Sequence, residues 1–431
     1  MRQPKAGTTR NKAVRTATWA ALLSVAVSCG TTPDHPGAIL DELPPGAVGA
    51  VSVGPRGLES TGGRTIVFVF DEKGNVLGRL EDEPIYANPV LASKQSLVTA
   101  SGRAVTTLTS TSRIDVPVDE SIVEAAANNP ETGSATVWFN SGRTSNFVSV
   151  DADGQTHTGS VEGMVRTATY CGDRQFAVVR DIIPAGDMTK HRLYELLPGG
   201  RLAVRGEWDL PVGVGPASRN PACAADGQSI LALWRMSATS SPPDHDLALV
   251  RIDVTDGSQS ETVLDMPGYA QNAWGTTAVI GDRLYWLNQD GQVLSVAIEG
   301  PPAVSLEWTI PDPEEATTTV SGTTVTIVNS RGRPVFSQHD LITGNQTRDP
   351  IELPGSNPSS VHRPETPSIR PRMSPDSKNS PSRGWLSGIE CGRAKMVQFG
   401  LPETAEWKGN SRNSPRLAFG NRRRCFSRLR G

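Results

Sequence analysis

The sequence has 431 residues, enough for about two to three average domains or for one large β architecture. Hydrophobic residues make up 37% and charged residues 20%, which excludes global disorder, a collagen-like fold and a multi-span membrane protein. The formal net charge of −3 hides three unlike regions: residues 1–28 carry five basic and no acidic residues, 29–360 carry 22 basic and 40 acidic, and 361–431 carry 15 and 5. Because phosphate neutralisation needs a basic face, the acidic middle argues against a nucleic-acid partner.

Residues 1–28 have the pattern of a signal peptide. Their basic side chains precede a short apolar run, from Ala17 to Val27, that cannot span about 30 Å of hydrocarbon. The run ends in Ala26-Val27-Ser28-Cys29-Gly30, which resembles a bacterial lipobox with alanine where leucine is usual. The resemblance implies that Cys29 is lipidated, that residues 29–45 form a tether, and that the protein is anchored on the outer, extracytoplasmic face of the cell membrane. The alternative is an ordinary signal peptide cleaved elsewhere, with Cys29 incidental.

A repeat of strand, turn and strand dominates the middle of the chain. Seven tight turns between alternating apolar strands are centred near Gly74, Ser112, Gly154, Gly200, Gly257, Gly300 and Gly344. A second series falls in step with them, at Ser93-Lys94, Gly172-Asp173, Asp226-Gly227, Gly281-Asp282 and Ser321-Gly322, with a weaker member in ETGSATVWF. Glycine and aspartate supply the positive φ that tight hairpin turns need. Each repeat of about 45 residues therefore contains two hairpins, or four short antiparallel strands.

Four strands per repeat of about 40–50 residues are typical of a β-propeller blade. The repeats resemble the broad group of bacterial propellers with YVTN-type, TolB-type and PQQ-type blades. Trp208 and Trp308, which close outer strands, resemble the docking tryptophan of PQQ-type blades. We expect an all-β propeller of about seven four-stranded blades over residues 46–355. An array of β-sandwiches is the competing fold, but it would need linkers between domains, and none is evident.

Residues 356–431 form a basic tail that is rich in Arg, Ser and Pro and lacks the repeat. The segment MSPDSK, around Asp376-Ser377, resembles the first turn of a further blade, but no apolar second strand follows it. Two interpretations stay open. The tail is either low-order sequence after a finished ring of seven blades, or a disrupted final blade, for instance after a reading-frame change, of a ring that once had eight.

Five cysteines occur, of which Cys29 is the expected anchor and Cys391 and Cys425 lie in the tail. Cys171 and Cys223 lie about one repeat apart, so they occupy equivalent inner strands of adjacent blades, which approach closely near the channel. In an exported protein this placement predicts a disulfide; two buried free thiols are the alternative. No Cys-x-x-Cys pair occurs and the histidines are scattered, so no metal site is expected.

Patterns that would indicate catalysis or ligand binding are weak. Asp151-Ala152-Asp153-Gly154 with Glu162 resembles a calcium loop, but the position of the glycine and the flanking strands favour a hairpin turn. The aromatic residues of LYWL, TVWF and ALWR alternate along strands and are expected to pack between blades. His191 and His245 are expected in loops. The chain has no nucleophile elbow, zinc-protease motif, P-loop or dinucleotide fingerprint, and no cofactor is expected.

Two functions follow as hypotheses. The first is a non-enzymatic, lipid-anchored propeller that binds a protein or an envelope component on its channel or rim. The second is a propeller enzyme, either a quinoprotein-like dehydrogenase or a hydrolase or lyase acting on glycans or peptides, with its site at the channel mouth. Carboxylate, His or Arg side chains converging at one end of the channel would favour the enzyme.

Overall fold

The computed structural model describes residues 37–53, 64–85, 89–93, 96–120, 122–129, 131–218, 220–236, 247–266, 277–288, 290–311, 313, 316–329 and 335–353, and the backbone of 394–398 and 403–404. These ranges contain thirty β-strands, numbered β1 to β30 in chain order, and no α-helix. Accordingly they hold no helix long and apolar enough to cross a bilayer. The all-β prediction is confirmed.

The strands form seven antiparallel sheets, each one blade of a seven-bladed propeller. Blade 1 contains β1 (Gly49–Val53), β2 (Thr65–Phe70) and β3 (Val76–Asp82). Blade 2 contains β4 (Val90–Ala92), β5 (Ser96–Ala100), β6 (Ala104–Thr109) and β7 (Arg113–Pro117). Blade 3 contains β8 (Val123–Asn128), β9 (Ala135–Asn140), β10 (Thr144–Val150) and β11 (Thr156–Glu162). Blade 4 contains β12 (Met164–Cys171), β13 (Arg174–Arg180), β14 (Met188–Leu197) and β15 (Arg201–Pro211).

Blade 5 differs in that its inner strand is interrupted. It contains β16 (Gly215–Pro216) and β17 (Ala222–Cys223), then β18 (Ser229–Arg235), β19 (Leu247–Asp253) and β20 (Gln259–Val263).

Blade 6 contains β21 (Thr277–Ile280), β22 (Arg283–Leu287), β23 (Gln292–Ala297) and β24 (Ser305–Thr309). Blade 7 contains β25 (Ala316–Ser321), β26 (Thr324–Asn329), β27 (Val335–Asp340) and β28 (Gln346–Glu352).

The hydrophobic core is divided among the seams between blades. Seven clusters of buried apolar side chains occur in the described chain, and each joins two neighbouring blades. One cluster joins blade 7 to blade 1, so the ring closes. The middle strands of a blade are apolar because both of their faces meet neighbouring blades, whereas the outer strands are largely exposed. This accounts for the short apolar runs in the sequence.

Both predicted series of turns are confirmed. The first series, which includes Gly74 and Gly257, connects the third strand of a blade to its outer strand, and the second, which includes Gly172 and Gly281, connects the inner strand to the second. These glycines all have positive φ, a conformation that other residues adopt at a cost. The opposite face of the ring carries the connections between second and third strands, such as residues 181–187, and is called the loop face below.

Blade 1 obtains its inner strand from the tail. Strand β29 (Ala394–Gln398) pairs antiparallel with β1, from Gly49 opposite Gln398 to Val53 opposite Ala394. A shorter strand, β30 (Glu403–Thr404), pairs with β4 of blade 2. Neither tail strand is predicted by the sequence, and Asp376-Ser377 lies outside the described residues.

A segment before the first strand runs along the outer edge of blade 1. Ile39 forms a parallel bridge with Arg79 of β3, with backbone hydrogen bonds from Leu40 N to Arg79 O (2.9 Å) and from Arg79 N to Ala38 O (2.8 Å). The N–H of Leu43 then donates to the carbonyl of Thr109 in blade 2 at 2.7 Å. The chain therefore enters the ring from its outer edge, beside blades 1 and 2.

Candidate functional site

Blades 4 and 5 are joined by the disulfide that the sequence predicts. Cys171 ends β12 and Cys223 ends β17, the inner strands of the two blades, and their Cα atoms lie 5.0 Å apart. The covalent link therefore crosses the seam beside the channel, where inner strands approach each other. Cys29, Cys391 and Cys425 lie outside the described residues.

The two outer-strand tryptophans make one repeated contact. The indole N–H of Trp208 donates to the Gly257 carbonyl at 2.9 Å, and that of Trp308 donates to the Leu341 carbonyl at 2.9 Å. Each acceptor lies in the turn before the outer strand of the following blade. A Cβ atom on Gly344 would lie 2.7 Å from the Trp308 ring, so the turn can approach only as glycine. Each of these tryptophans therefore connects its blade to the next by a hydrogen bond.

Residues 220–221 of blade 5 tie several inner strands together. Asn220 Nδ2 donates to the Ala126 carbonyl at 2.7 Å, past blade 4 to blade 3. The Thr277 hydroxyl of blade 6 donates to the Asn220 carbonyl at 2.8 Å, and the Thr169 hydroxyl of blade 4 donates to the Pro221 carbonyl at 2.7 Å. Polar groups of the inner strands are thus used to hold four neighbouring blades together.

The acidic motif at Asp151 forms a hairpin turn. Asp151 Oδ1 accepts hydrogen bonds from the backbone N–H groups of Asp153 (3.0 Å) and Gln155 (2.8 Å). Asp71 starts the equivalent turn of blade 1, and the side-chain hydrogen bond from Asn75 lowers the pKa of its carboxyl. Both carboxylates therefore accept hydrogen bonds from groups of the turns in which they lie. Within the described ranges, no group of three or more His, Cys, Asp or Glu side chains could hold a metal ion.

The aromatic residues of the second strands are blade-packing residues, as predicted. Trp138 and Trp234 are 1% exposed, Trp286 is 0% exposed and Tyr285 is 5% exposed. They lie inside the seams between blades. A ligand could not reach them without separating two blades.

The prediction that His191 lies in a loop is wrong. His191 is 0% exposed and lies within β14, because this strand continues through charged residues whose side chains face solvent. Its Nδ1 lies 3.1 Å from the Thr189 carbonyl oxygen, and its ring centroid lies 6.4 Å from that of Trp234. Burial lowers the pKa of His191 to about 4, and two nearby arginines act in the same direction. His245 lies outside the described residues.

Two β-bulges, unpredicted from the sequence, place charged residues at the start of inner strands. Strand β8 is bulged at Glu124, and β12 is bulged at Arg166 in the adjacent blade. Asn140 Nδ2 donates to Glu124 Oε1 at 3.0 Å, so the carboxylate of blade 3 has a partner. Bulges re-aim side chains and are frequent beside functional sites, which makes the rim of blades 3 and 4 the first candidate region.

Two guanidinium groups of blade 4 meet at one sulfur atom. Arg166 Nη1 lies 3.5 Å and Arg180 Nη2 lies 4.0 Å from Met164 Sδ. Arg180 ends β13, with Met164 and His191 as its cross-strand neighbours, and its Nε is buried without a hydrogen-bond acceptor. The sequence does not predict this cluster, because Arg166 and Arg180 lie on different strands of the blade and form no motif.

Blade 4 also projects beyond its neighbours on the loop face. Its strands β14 and β15 have 10 and 11 residues and are the longest of the described chain. Residues 181–188 and 211–214, called the blade 4 tip, expose Ile183 (71%), Met188 (38%) and Val212 (40%). The backbone of the tip is held by hydrogen bonds, including one from Val212 N to Asp187 O at 2.9 Å. The tip is therefore a hydrogen-bonded projection with an apolar surface.

No family model and no curated protein matches the sequence. Among solved structures, the β-propeller domain of the Trilobed protease from Pyrococcus furiosus is similar, with a TM-score of 0.44 and 9% identity over 75% of this chain and 97% of that chain. BamB from Moraxella catarrhalis gives a TM-score of 0.32 and 15% identity over 62% and 70% of the two chains. The Pan2 WD40 domain of Neurospora crassa gives 0.41 and 11% over 68% and 86%. At such identities the likeness concerns the fold alone.

Proposed function

We propose that the protein is a lipid-anchored, extracytoplasmic β-propeller that binds a protein or envelope component and does not act on it as an enzyme. The observation that carries the proposal is the blade 4 tip. It presents Ile183, Met188 and Val212 together on an ordered projection. Single exposed apolar side chains are common on soluble proteins, but neighbouring ones on a projecting edge are typical of interaction sites.

The charged groups at the rim also favour binding over catalysis. Those that converge on blade 4 in the described chain are Arg166 and Arg180, beside the buried His191. Such a set can bind an anion, but its histidine is sealed from a substrate, and the nearby Asp181 is paired with Arg192. General acid–base chemistry needs a titrating group within reach of the reacting proton.

The export part of the proposal is supported by the lipobox-like sequence at Cys29 and by the Cys171–Cys223 link, since disulfides persist in oxidising compartments. Replacing Cys29 with Ser should move the protein from the membrane fraction to the soluble fraction, because a diacyl group supplies the two chains that stable anchoring needs. Retention of the variant in membranes after a high-salt wash would contradict the anchor.

The binding part is tested by pull-down from detergent-solubilised membranes with the Cys29 anchor intact. An Ile183→Ser, Met188→Ser double variant should lose the partners that the unaltered protein captures. Val263→Ser is the matched control, because Val263 is 53% exposed on the outer strand of blade 5. Equal recovery of partners by the tip variant and the control would overturn the tip as the binding surface.

A further inference from the structure

We infer that Arg166 and Arg180 form a binding site for a carboxylate group, which a partner presents when it docks on the blade 4 tip. The inference rests on the proposed binding function and adds the chemistry of the partner: an acidic side chain flanked by apolar residues. The three side chains that define the site are Met164, Arg166 and Arg180.

The position of Met164 shows where the anion would lie. Its thioether sulfur is a weak acceptor, yet it stands 3.5 Å from Arg166 Nη1 and 4.0 Å from Arg180 Nη2. A carboxylate oxygen near that point would accept charge-assisted hydrogen bonds from both guanidinium groups. Methionine is flexible, with three rotatable bonds, so it can leave the position that it occupies in the free protein.

The surroundings of the Arg180 Nε atom support the same inference. Its Nε–H is shielded from solvent and has no acceptor in the described structure, so the group has lost its hydration without compensation. A carboxylate engages Nε–H and Nη–H of one guanidinium together, in a bidentate pair. Movement of Met164 would free the Nη2 of the same guanidinium for an incoming carboxylate.

Two carboxylates near the site are engaged by other side chains. Glu124, on the equivalent bulge of blade 3, accepts from Asn140, and Asp181 is paired with Arg192. Two further carboxylates close in sequence are exposed: Glu162, at the end of β11, and Asp187, in the blade 4 tip. The lowered pKa of His191, to which both arginines contribute after burial, agrees with a positive local field.

The apolar residues of the tip favour a peptide as the source of the carboxylate. Residue 181 follows Arg180 directly, so Ile183 and Met188 project from the same edge of blade 4 as the two arginines. A small inorganic anion would use the arginines and leave the apolar side chains exposed. An acidic residue between apolar neighbours would use both.

The test follows the Met164 methyl resonance in full-length protein labelled with ¹³C at the methionine methyl groups, with Met164→Leu to assign it. The probes are acetate, the acetylated peptide Leu-Glu-Leu amide, and inorganic phosphate, each titrated at constant ionic strength. We expect a saturable shift of this resonance with both carboxylates, and tighter binding by the peptide. The methyl resonances far from blade 4 report whether the fold is intact.

The variants separate the proposed site from general electrostatics. Arg180→Gln should weaken peptide binding about tenfold or more, and Arg180→Lys should weaken it nearly as much, because lysine keeps the charge but lacks the planar fork. Arg235→Gln is the matched control, since Arg235 ends the equivalent second strand of blade 5, and it should bind normally.

Equal losses in Arg180→Gln and Arg235→Gln, or no saturable shift with either carboxylate, would overturn the inference. Tighter binding of phosphate than of the peptide would overturn the choice of carboxylate. The proposed function fails separately: it fails if Ile183→Ser, Met188→Ser protein keeps its partners. If the tip variant loses its partners but the Met164 methyl resonance does not shift with either carboxylate, the binding function is supported and the carboxylate site is refuted.

Discussion

The seam between blades 4 and 5 and the seam between blades 7 and 1 are held by different means. The first combines the Cys171–Cys223 disulfide with the hydrogen bond from Trp208 to Gly257 and with edge-to-face packing of Trp208 on Trp234, whose ring centroids lie 6.0 Å apart. Arg174 Nη2 also donates across it to the Val254 carbonyl at 3.2 Å. Covalent, polar and aromatic contacts therefore act together.

The seam between blades 7 and 1 joins sequence-distant parts of the chain. It rests on apolar packing, with Phe70 edge-on to Phe336 at 5.6 Å between ring centroids, and on the close approach of Gly74 to the Glu352 carbonyl. Strand β29 adds backbone pairing to β1. Of these two seams, only the one between blades 4 and 5 has a covalent link among the described residues, so the seam between blades 7 and 1 should open before it.

The largest effect is expected from removing the disulfide. Cys171→Ser, Cys223→Ser should lower the free energy of unfolding by about 4 kcal/mol in the chain-entropy model for the loop of 52 residues. Urea unfolding of this variant and of the unaltered protein measures the loss. The double variant should also become insensitive to reducing agent. An unchanged unfolding midpoint would show that the disulfide does not stabilise the folded protein.

Acid should weaken the seam between blades 4 and 5 through His191. Its pKa falls from 6.5 to about 4 on folding, chiefly through burial, so the unfolded chain binds the proton more tightly. Above pH 6.5 the free energy of unfolding does not vary with the protonation of His191. Below pH 6.5 the free energy of unfolding decreases as the pH falls towards 4, by about 3 kcal/mol at most. His191→Gln should flatten this part of the pH–stability curve. An identical slope in the variant would refute the assignment.

Glycine substitutions test the two seams with matched changes. Gly74 (φ 81°) and Gly257 (φ 70°) occupy equivalent turns, and an added Cβ would lie 2.2 Å from the Glu352 oxygen and 2.5 Å from the Gly206 Cα. Each change to Ala should cost about 2–3 kcal/mol. Gly154→Ala is the control, with φ 76° and no atom within 4 Å, and should cost about 1 kcal/mol. Equal losses at all three positions would mean that turn strain, not seam contact, is measured.

Removal of the tail tests the strand that completes blade 1. A chain ending at residue 353 leaves the inner edge of β1 without β29, so amide exchange in residues 49–53 should accelerate by about tenfold or more. Exchange in β12, beside the disulfide, should not change. Equal protection of β1 in both proteins would show that β29 does not stabilise the closing seam.

The smallest effect is expected from the two outer-strand tryptophans. Trp208→Phe and Trp308→Phe each leave a turn carbonyl without its indole donor and should cost about 1 kcal/mol in addition to lost packing. Thermal unfolding with and without reducing agent measures both. Without reducing agent, Trp208→Phe should lose less thermal stability than Trp308→Phe if the disulfide also stabilises the seam between blades 4 and 5. This difference should disappear when the disulfide is reduced.

The repeat made most of the fold predictable. Turn residues such as Gly154 and Asp226-Gly227 mark hairpins through local backbone chemistry, and local chemistry is what a sequence displays directly. The pairing of β29 with β1 could not be predicted in this way, because AKMVQ lies outside the repeat and pairs with a strand more than 300 residues away.

The candidate site was less predictable than the fold. The Cys171–Cys223 pair follows from the repeat length, since equivalent strands lie side by side. The bulge at Arg166 depends on a register shift between two strands, and the position of Met164 between two guanidinium groups depends on packing. Neither leaves a pattern along the chain.

The segment from Gly37 to Leu43 has a mechanical consequence. Its two backbone hydrogen bonds with Arg79 belong to a parallel pair, so a pull along the segment loads both bonds in shear. The bond from Leu43 to Thr109 then carries part of the tension into blade 2. Force applied along this segment would be distributed over the outer edges of blades 1 and 2 before it reached β1.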